Sequence, residues 1–218
     1  VNVAGVTFWV LGVWFNAKRD CMQKPHIICG CTDLMPIRTR RLVTGHDDTG
    51  KSCFIFDSEA TSAITIDAMG GLTVTDFWET EVSPANNEGM RDGADRKVHL
   101  EPAPTGTIFR TVEFPPDSGW KDGADAVAGF AALGAKNVAD VSHPDPNMHR
   151  TDTIDYALVI SGEIWAVMDT EERLMRTGDV IVQRGTNHAW RNRTEVPCLV
   201  LFVQCGAERV NHENLLEG

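Results

Sequence analysis

The sequence predicts an all-β fold. Runs rich in β-branched and aromatic residues recur at 72–82, 106–114 and 197–204, and Gly, Pro, Asn and Asp cluster between the runs. The chain has no alternation of strands and helices of the kind that builds a parallel sheet. One alanine-rich segment, 124–133, predicts a single short helix that Gly134 terminates.

The composition is that of an ordinary globular protein. The chain has 218 residues, 42% hydrophobic content and 19 glycines, enough for one domain with a substantial core and many turns. A formal net charge of −11 argues against nucleic acid and anionic membranes as partners. The six cysteines are not spaced like a disulfide framework, so we expect reduced thiols and a cytoplasmic protein.

The first 34 residues differ in character from the rest. Residues 1–15 carry no charge and are largely apolar, but they are too few to span a bilayer. Met35, which is followed by Pro36, resembles a natural start of translation. We therefore interpret residues 1–34 as an N-terminal extension, and a genuine N-terminal strand that packs on the rest of the fold is the alternative.

The string from Gly45 to Ser52 matches the phosphate-loop pattern G-x4-G-K-S. Such a loop needs a helix directly after it, because the first amides of that helix meet the phosphates. A strand-like run at 52–57 follows instead, and another precedes the string at 37–44. The sequence therefore favours a turn between two strands over a nucleotide site.

Two apolar runs flank a short turn later in the chain. Residues 156–160 and 164–168 are almost entirely apolar, and Ser161, Gly162 and Glu163 separate them. This pattern predicts a β-hairpin inside a sheet that is covered on both faces. Further strands are expected at 179–183 and 197–204.

Two β-rich blocks carry histidines. In the first block His149, Thr151, Thr153 and Asp155 alternate, so they share one face if the segment is a strand. The second block brings His188 to another strand. If both blocks face the same space, two imidazoles and one carboxylate converge there.

The two blocks resemble the paired motifs of the cupin superfamily, G-x5-H-x-H-x3-4-E-x6-G and G-x5-P-x-G-x2-H-x3-N. His149, Asp155 and Gly162 match the first histidine, the glutamate and the closing glycine, and Gly185, His188 and Asn192 match the G, H and N of the second motif. The sequence departs from the motifs at Thr151, which replaces the second histidine, at Asp155, which is shorter than the glutamate, and at Gln183, which replaces the proline. Gly178, the opening glycine of the second motif, also lies one residue too close.

The resemblance implies a small stand-alone, single-domain cupin with a degenerate metal motif. Its fold is expected to be a jelly-roll β-barrel at 108–206, with extra N-terminal strands and loops at 35–107 packing on it and a C-terminal tail at 207–218. Such a protein acts on a small organic acid, phenol or polyketide-like compound, as an oxygenase, decarboxylase, isomerase or dehydratase. A metal-free binding or regulatory cupin without catalysis is the alternative, and a homodimer is expected in either case.

The resemblance also implies a metal site formed by His149, His188 and Asp155. Two histidines and a carboxylate are the set that non-haem iron favours, with Mn, Ni, Co or Zn also possible. A straight strand would hold His149 and Asp155 about 20 Å apart at ~3.3 Å per residue, so the site requires a bend. If the barrel holds no metal, His188 and Asp155 are the candidate acid and base, and Thr151 hydrogen-bonds within the cavity.

Three further residues are candidates for ligand contact. Arg110, on the strand that enters the barrel, has the geometry to bind a substrate carboxylate with two hydrogen bonds, and a surface position is the alternative. Trp165 is expected either in the cavity wall or in the core. Trp190 follows His188 by two residues and is expected on the same face.

Overall fold

The computed structural model describes residues 38–120, 125–135 and 138–211. The chain divides into two compact units, Val1–Met35 and Pro36–Gly218, and the expectation for residues 1–34 lies outside the described residues. Across the described ranges the second unit forms eleven β-strands and one α-helix, which confirms the all-β class with a single short helix. The strands are β1 (Arg40–His46), β2 (Ser52–Glu59), β3 (Ser62–Ile66), β4 (Leu72–Thr80), β5 (Thr107–Phe114), β6 (Thr153–Ser161), β7 (Glu163–Met168), β8 (Glu172–Arg176), β9 (Val180–Arg184), β10 (His188–Arg191) and β11 (Cys198–Gly206), and the helix is α1 (Ala126–Ala132).

Two antiparallel sheets enclose the core. The larger sheet has the strand order β3-β4-β5-β11-β6-β9, and the smaller has the order β10-β7-β8. Val159 and Val200 of the larger sheet belong to the same buried cluster as Ile164 and Ala166 of the smaller sheet. This arrangement is the expected jelly-roll barrel. Strands β3 and β4 continue the larger sheet through the β4–β5 pairing, so residue 107 does not separate two sheets.

The helix α1 closes one side of this core. The carboxylate of Asp125 accepts a hydrogen bond from the Ala128 amide and caps the helix, and Gly134 follows its end with a φ of 71°. Phe130 on the buried face of the helix joins the core cluster. No helix in the described ranges is both long enough and apolar enough to cross a membrane.

The strands β1 and β2 form a separate antiparallel hairpin, as expected for the string from Gly45 to Ser52. The Asp47 carboxylate accepts hydrogen bonds from the Thr49 and Lys51 amides at 2.8 and 3.0 Å. This side chain therefore occupies amides that a phosphate loop would turn towards its ligand.

The predicted hairpin at 156–168 is wrong. Strands β6 and β7 are consecutive, but β6 pairs with β11 and β9, whereas β7 pairs with β10 and β8. Gly162 alone separates them, has a φ of 83°, and turns the chain from one sheet into the other. Each strand buries one face only, and Tyr156 on the outer face of β6 is 53% exposed. The apolar runs thus fit two facing sheets better than one hairpin.

Candidate functional site

A cavity of about 90 Å³ lies between the sheets. Its wall is mainly apolar and includes the rings of Phe114, Trp120, Phe130, Trp190 and Phe202. Its polar lining residues are Arg110, Asp117, Asn147, His149, Thr151, Asp155, His188, Asn192 and Gln204. An apolar, aromatic wall with a few polar groups is typical of sites for small organic molecules. The volume of this cavity means that only a small molecule, or a small part of a larger one, can be enclosed in it.

The two histidines converge in this cavity as the alternating pattern predicts. A two-residue antiparallel bridge joins them, because each backbone amide donates to the carbonyl of the other at 2.9 Å. The ring centroids of His149 and His188 are consequently 4.3 Å apart, with an interplanar angle of 47°. Phe130 packs on the other side of His149, with ring centroids 4.6 Å apart.

Both rings are held in one tautomer. The Nδ1 atom of His149 lies 2.8 Å from the Asn147 carbonyl, and that of His188 lies 2.9 Å from the Thr186 carbonyl. A carbonyl only accepts, so we assign the ring proton to Nδ1 and the lone pair to Nε2. Burial lowers the pKa of both rings, and the neighbouring His149 further lowers the pKa of His188, to about 3. Both imidazoles are therefore neutral at ordinary pH and present an acceptor nitrogen.

Asp155 is the buried carboxyl of the cavity. Its side chain points inward from β6 and is 4% exposed, and Gln204 donates to its Oδ2 at 3.3 Å. Its Oδ1 is buried with no hydrogen-bond partner in the described part of the chain. Burial raises the pKa of Asp155 to about 6, against the opposing hydrogen bonds of Thr153 and Gln204.

The expected metal set of His149, His188 and Asp155 is not assembled as a cluster. The described ranges contain no group of three or more His, Cys, Asp or Glu side chains placed to hold a metal ion. His149 precedes β6 and pairs with β10, whereas Asp155 lies farther along β6 opposite Gln204. Thr151, where the family motif has its second histidine, hydrogen-bonds to Thr153 instead, with 2.7 Å between the hydroxyl oxygens. The described residues therefore bring two imidazoles together and do not fit a three-residue metal centre.

Arg110 does not offer its guanidinium to a ligand carboxylate as expected. It is 2% exposed, and its Nε and Nη2 donate to the two oxygens of Asp76 at 2.8 and 3.1 Å. The carbonyls of His99 and Leu100 accept two further hydrogen bonds from it. Because Asp76 already forms the bidentate pair with Nε and Nη2, Arg110 is an ion-paired residue of the cavity wall and cannot form the same pair with a ligand carboxylate.

The two tryptophans lie on opposite sides of the smaller sheet. Trp190 lines the cavity with His188, as predicted, and their ring centroids are 5.9 Å apart. Trp165 does not reach the cavity, because its neighbours Ile164 and Ala166 take the inward face of β7. Its ring instead packs against the Arg193 guanidinium at 4.7 Å.

Sequence reasoning missed several polar groups of the cavity. Gln204 lies near the end of the apolar strand β11 and faces Asp155, and a lone amide in such a run is a signal that the sequence pattern does contain. Asn147 and Trp120 lie in the long connection between β5 and β6, where no periodicity indicates which side chains turn inward. Asn192 holds the chain after β10, because its amide donates to the carbonyls of Phe114 and Val196.

The comparisons agree with this architecture. Residues 140–204 match the family model described as Cupin domain. Phomopsin biosynthesis cluster protein C′ of Diaporthe leptostromiformis is 30% identical over 186 residues, 82% of this chain and 84% of that protein. Cupin-domain-containing oxidoreductase srdD of Neurospora crassa is 48% identical over 179 residues, 78% of this chain and 76% of that protein. Cupin-domain-containing oxidoreductase fogC of Aspergillus ruber is 28% identical over 189 residues, 82% and 78% of the two chains. The chain belongs to the cupin superfamily.

Proposed function

We propose that this cupin is an enzyme that moves a proton on a small, largely apolar organic molecule held in the barrel cavity, as isomerases and dehydratases do. Relatives named for fungal biosynthesis clusters support small-molecule metabolism as the setting. Proton transfer is favoured among the expected reactions because the cavity supplies its own acid–base group.

Asp155 carries this proposal. Its carboxyl has a pKa of about 6 and an oxygen without a partner, and it lines an apolar cavity. A general base works best when its pKa lies near the working pH, because it is then ionised and still holds a proton firmly. In the proposed step Asp155 takes a proton from a carbon next to a carbonyl, the C–H electron pair forms the C=C bond of the enolate, and the carbonyl π pair moves onto the oxygen, to which Trp120 Nε1 donates. The C=C electron pair then takes the proton back from the same carboxyl and the carbonyl re-forms.

The histidines have a different part in this proposal. A pKa of about 3 makes His188 a poor base near neutral pH, and its Nε2 has no proton to give. His188 and His149 instead accept hydrogen bonds from the substrate through Nε2 and orient it. The acid–base role expected for His188 thus passes to Asp155.

Metal-dependent chemistry, which the oxidoreductase names of several relatives suggest for those proteins, is the other candidate. The two acceptor nitrogens of His149 and His188 favour it, but a metal would need further ligands from substrate, solvent or elsewhere in the protein. The proposal also includes a cytoplasmic homodimer. Three free cysteines in the described ranges, Cys53, Cys198 and Cys205, support a reducing compartment.

The test is hydrogen–deuterium exchange at the acetyl methyl group of 3-hydroxyacetophenone in D₂O, followed by proton NMR with purified protein and EDTA; its hydroxyl group supplies a donor for the cavity acceptors. The wild-type protein is expected to accelerate exchange about 100-fold or more over buffer, within the usual range for general base catalysis. Asp155→Asn should abolish the acceleration. Asp152→Asn is the matched control, since Asp152 lies three residues away in sequence with an exposed side chain.

The alternatives give different results. Exchange that requires added iron, manganese or zinc and stops with EDTA would favour the metal-dependent candidate. A protein that binds small aromatic compounds, yet accelerates exchange neither with nor without metal, would favour the non-catalytic cupin. An Asp155→Asn variant as active as wild type would remove Asp155 from the mechanism.

A further inference from the structure

The polar atoms that the cavity leaves without partners are mostly acceptors. In the described part of the chain Asp155 Oδ1, Gln204 Oε1 and Asn147 Oδ1 are buried oxygens with no hydrogen-bond partner, and all three side chains line the cavity. Each side chain is at least nine-tenths buried. The Nε2 lone pairs of His149 and His188 add two acceptor nitrogens.

Donors are scarce by comparison. The Nε1 of Trp120 is buried without a partner in the described ranges, and its ring also lines the cavity. Asn192 uses its amide group on two carbonyls, and Gln204 donates to Asp155. The cation among the described lining residues is Arg110, whose Nε and Nη2 already donate to Asp76. The histidine rings are neutral and present lone pairs.

This imbalance decides which ligands fit. A carboxylate or phosphate brings only acceptors, so it would face lone pairs and a carboxyl group in a buried site. Each hydroxyl group on an aromatic ring brings one donor for a partnerless oxygen or nitrogen, and the ring packs on the aromatic wall. A buried acceptor without a hydrogen bond costs free energy. A ligand that donates to it therefore binds much more tightly than a ligand of similar shape that cannot donate.

We infer that the cavity selects a neutral aromatic ring bearing two hydroxyl groups and rejects organic acids of the same size. The inference rests on the proposed function in taking this cavity as the substrate site. It narrows the substrate class, because the acid expected from the sequence drops out.

The experiment compares three ligands of similar size by isothermal titration calorimetry at pH 7.5. Resorcinol carries two hydroxyl donors, m-xylene has the same shape with methyl groups in their place, and benzoate carries an anionic acceptor. Resorcinol is expected to bind about tenfold or more tightly than m-xylene, since two hydrogen bonds to unmet acceptors outweigh its smaller hydrophobic gain. Benzoate is expected to show no binding that resorcinol displaces.

Variants locate the effect. Asp155→Leu and Asn147→Leu each replace a partnerless acceptor with an apolar side chain of similar size, and each should weaken resorcinol binding severalfold without weakening m-xylene binding. Asp152→Asn should change neither. Because the ligand comparison uses wild-type protein alone, it holds even if a variant fails to fold.

Several results would overturn the inference. They are benzoate binding as tightly as resorcinol, m-xylene binding more tightly than resorcinol, and no binding of resorcinol at all. If α-carbon exchange fails while resorcinol binds selectively, the proposed reaction is wrong and the ligand class stands. If exchange proceeds while benzoate competes equally, the ligand class is wrong and the reaction stands.

Discussion

Replacing Asp155 with asparagine should change how stability depends on pH. Burial raises the pKa of the folded carboxyl to about 6, from 3.8 for the free group. The folded state therefore holds this proton more tightly than the unfolded chain does. The contribution of Asp155 to the free energy of unfolding is therefore fully present below about pH 4 and is lost as the pH rises through about 6.

The size of the effect follows from the shift. A difference of about two pKa units corresponds to roughly 3 kcal/mol at 1.36 kcal/mol per unit, lost almost fully by pH 8. Asparagine cannot ionise, so the stability of the variant relative to wild type should rise by about 2 kcal/mol between pH 4 and pH 8. Urea unfolding followed by tryptophan fluorescence measures the free energy of unfolding at each pH.

The control is Asp152→Asn, in which the replaced carboxyl is exposed. Its stability relative to wild type should not rise with pH in this way. A stability difference for Asp155→Asn that stays constant from pH 4 to pH 8 would refute the reasoning, because Asp155 would then ionise equally in the folded and unfolded states.

Three further predictions concern stability. Asp76→Asn should destabilise the fold by about 3–5 kcal/mol in urea unfolding, because it leaves the buried Arg110 charge unpaired. The contribution of His188 to stability should be lost as pH falls from about 6.5 towards 3, because the buried ring resists protonation, so His188→Gln should gain stability relative to wild type over this range in thermal unfolding scans. Gly162→Ala should cost about 1–3 kcal/mol, because its φ is 83° and a Cβ would lie 3.0 Å from the Cys198 Cα.

Each of these has a contrary outcome. A near-neutral Asp76→Asn would mean that solvent or another group compensates Arg110. A His188→Gln variant whose stability falls with pH as much as that of wild type would mean that protonation of His188 does not destabilise the protein. A Gly162→Ala variant as stable as wild type would mean that the turn between β6 and β7 relaxes without strain.

The sequence predicts the barrel well because its local signals agree with the global fold. The alternation from His149 to Asp155 and the spacing around His188 place these side chains in one cavity, as the structure finds. The apolar runs around Gly162 misled the hairpin prediction, since apolar strands on either side of a sharp turn suit two facing sheets as well as one.

The chemistry of the site was less predictable for a physical reason. Whether Arg110 is free for a ligand depends on Asp76, a residue of a different strand 34 positions earlier in the chain. The distance of Asp155 from the histidines depends on where β6 begins, and element boundaries are only weakly encoded in local sequence. Long-range pairing therefore decides which polar groups keep free atoms in the cavity.

Asp155 is the proposed base, and a carbon-13 NMR titration of its carboxyl carbon measures its pKa directly. Protein labelled at aspartate, with Asp155→Asn used to assign the signal, should show a midpoint of about 6 for the Asp155 resonance. A midpoint at or below about 4, the range of an unperturbed carboxyl group, would contradict the account, because Asp155 would then be a poor base in a solvated site.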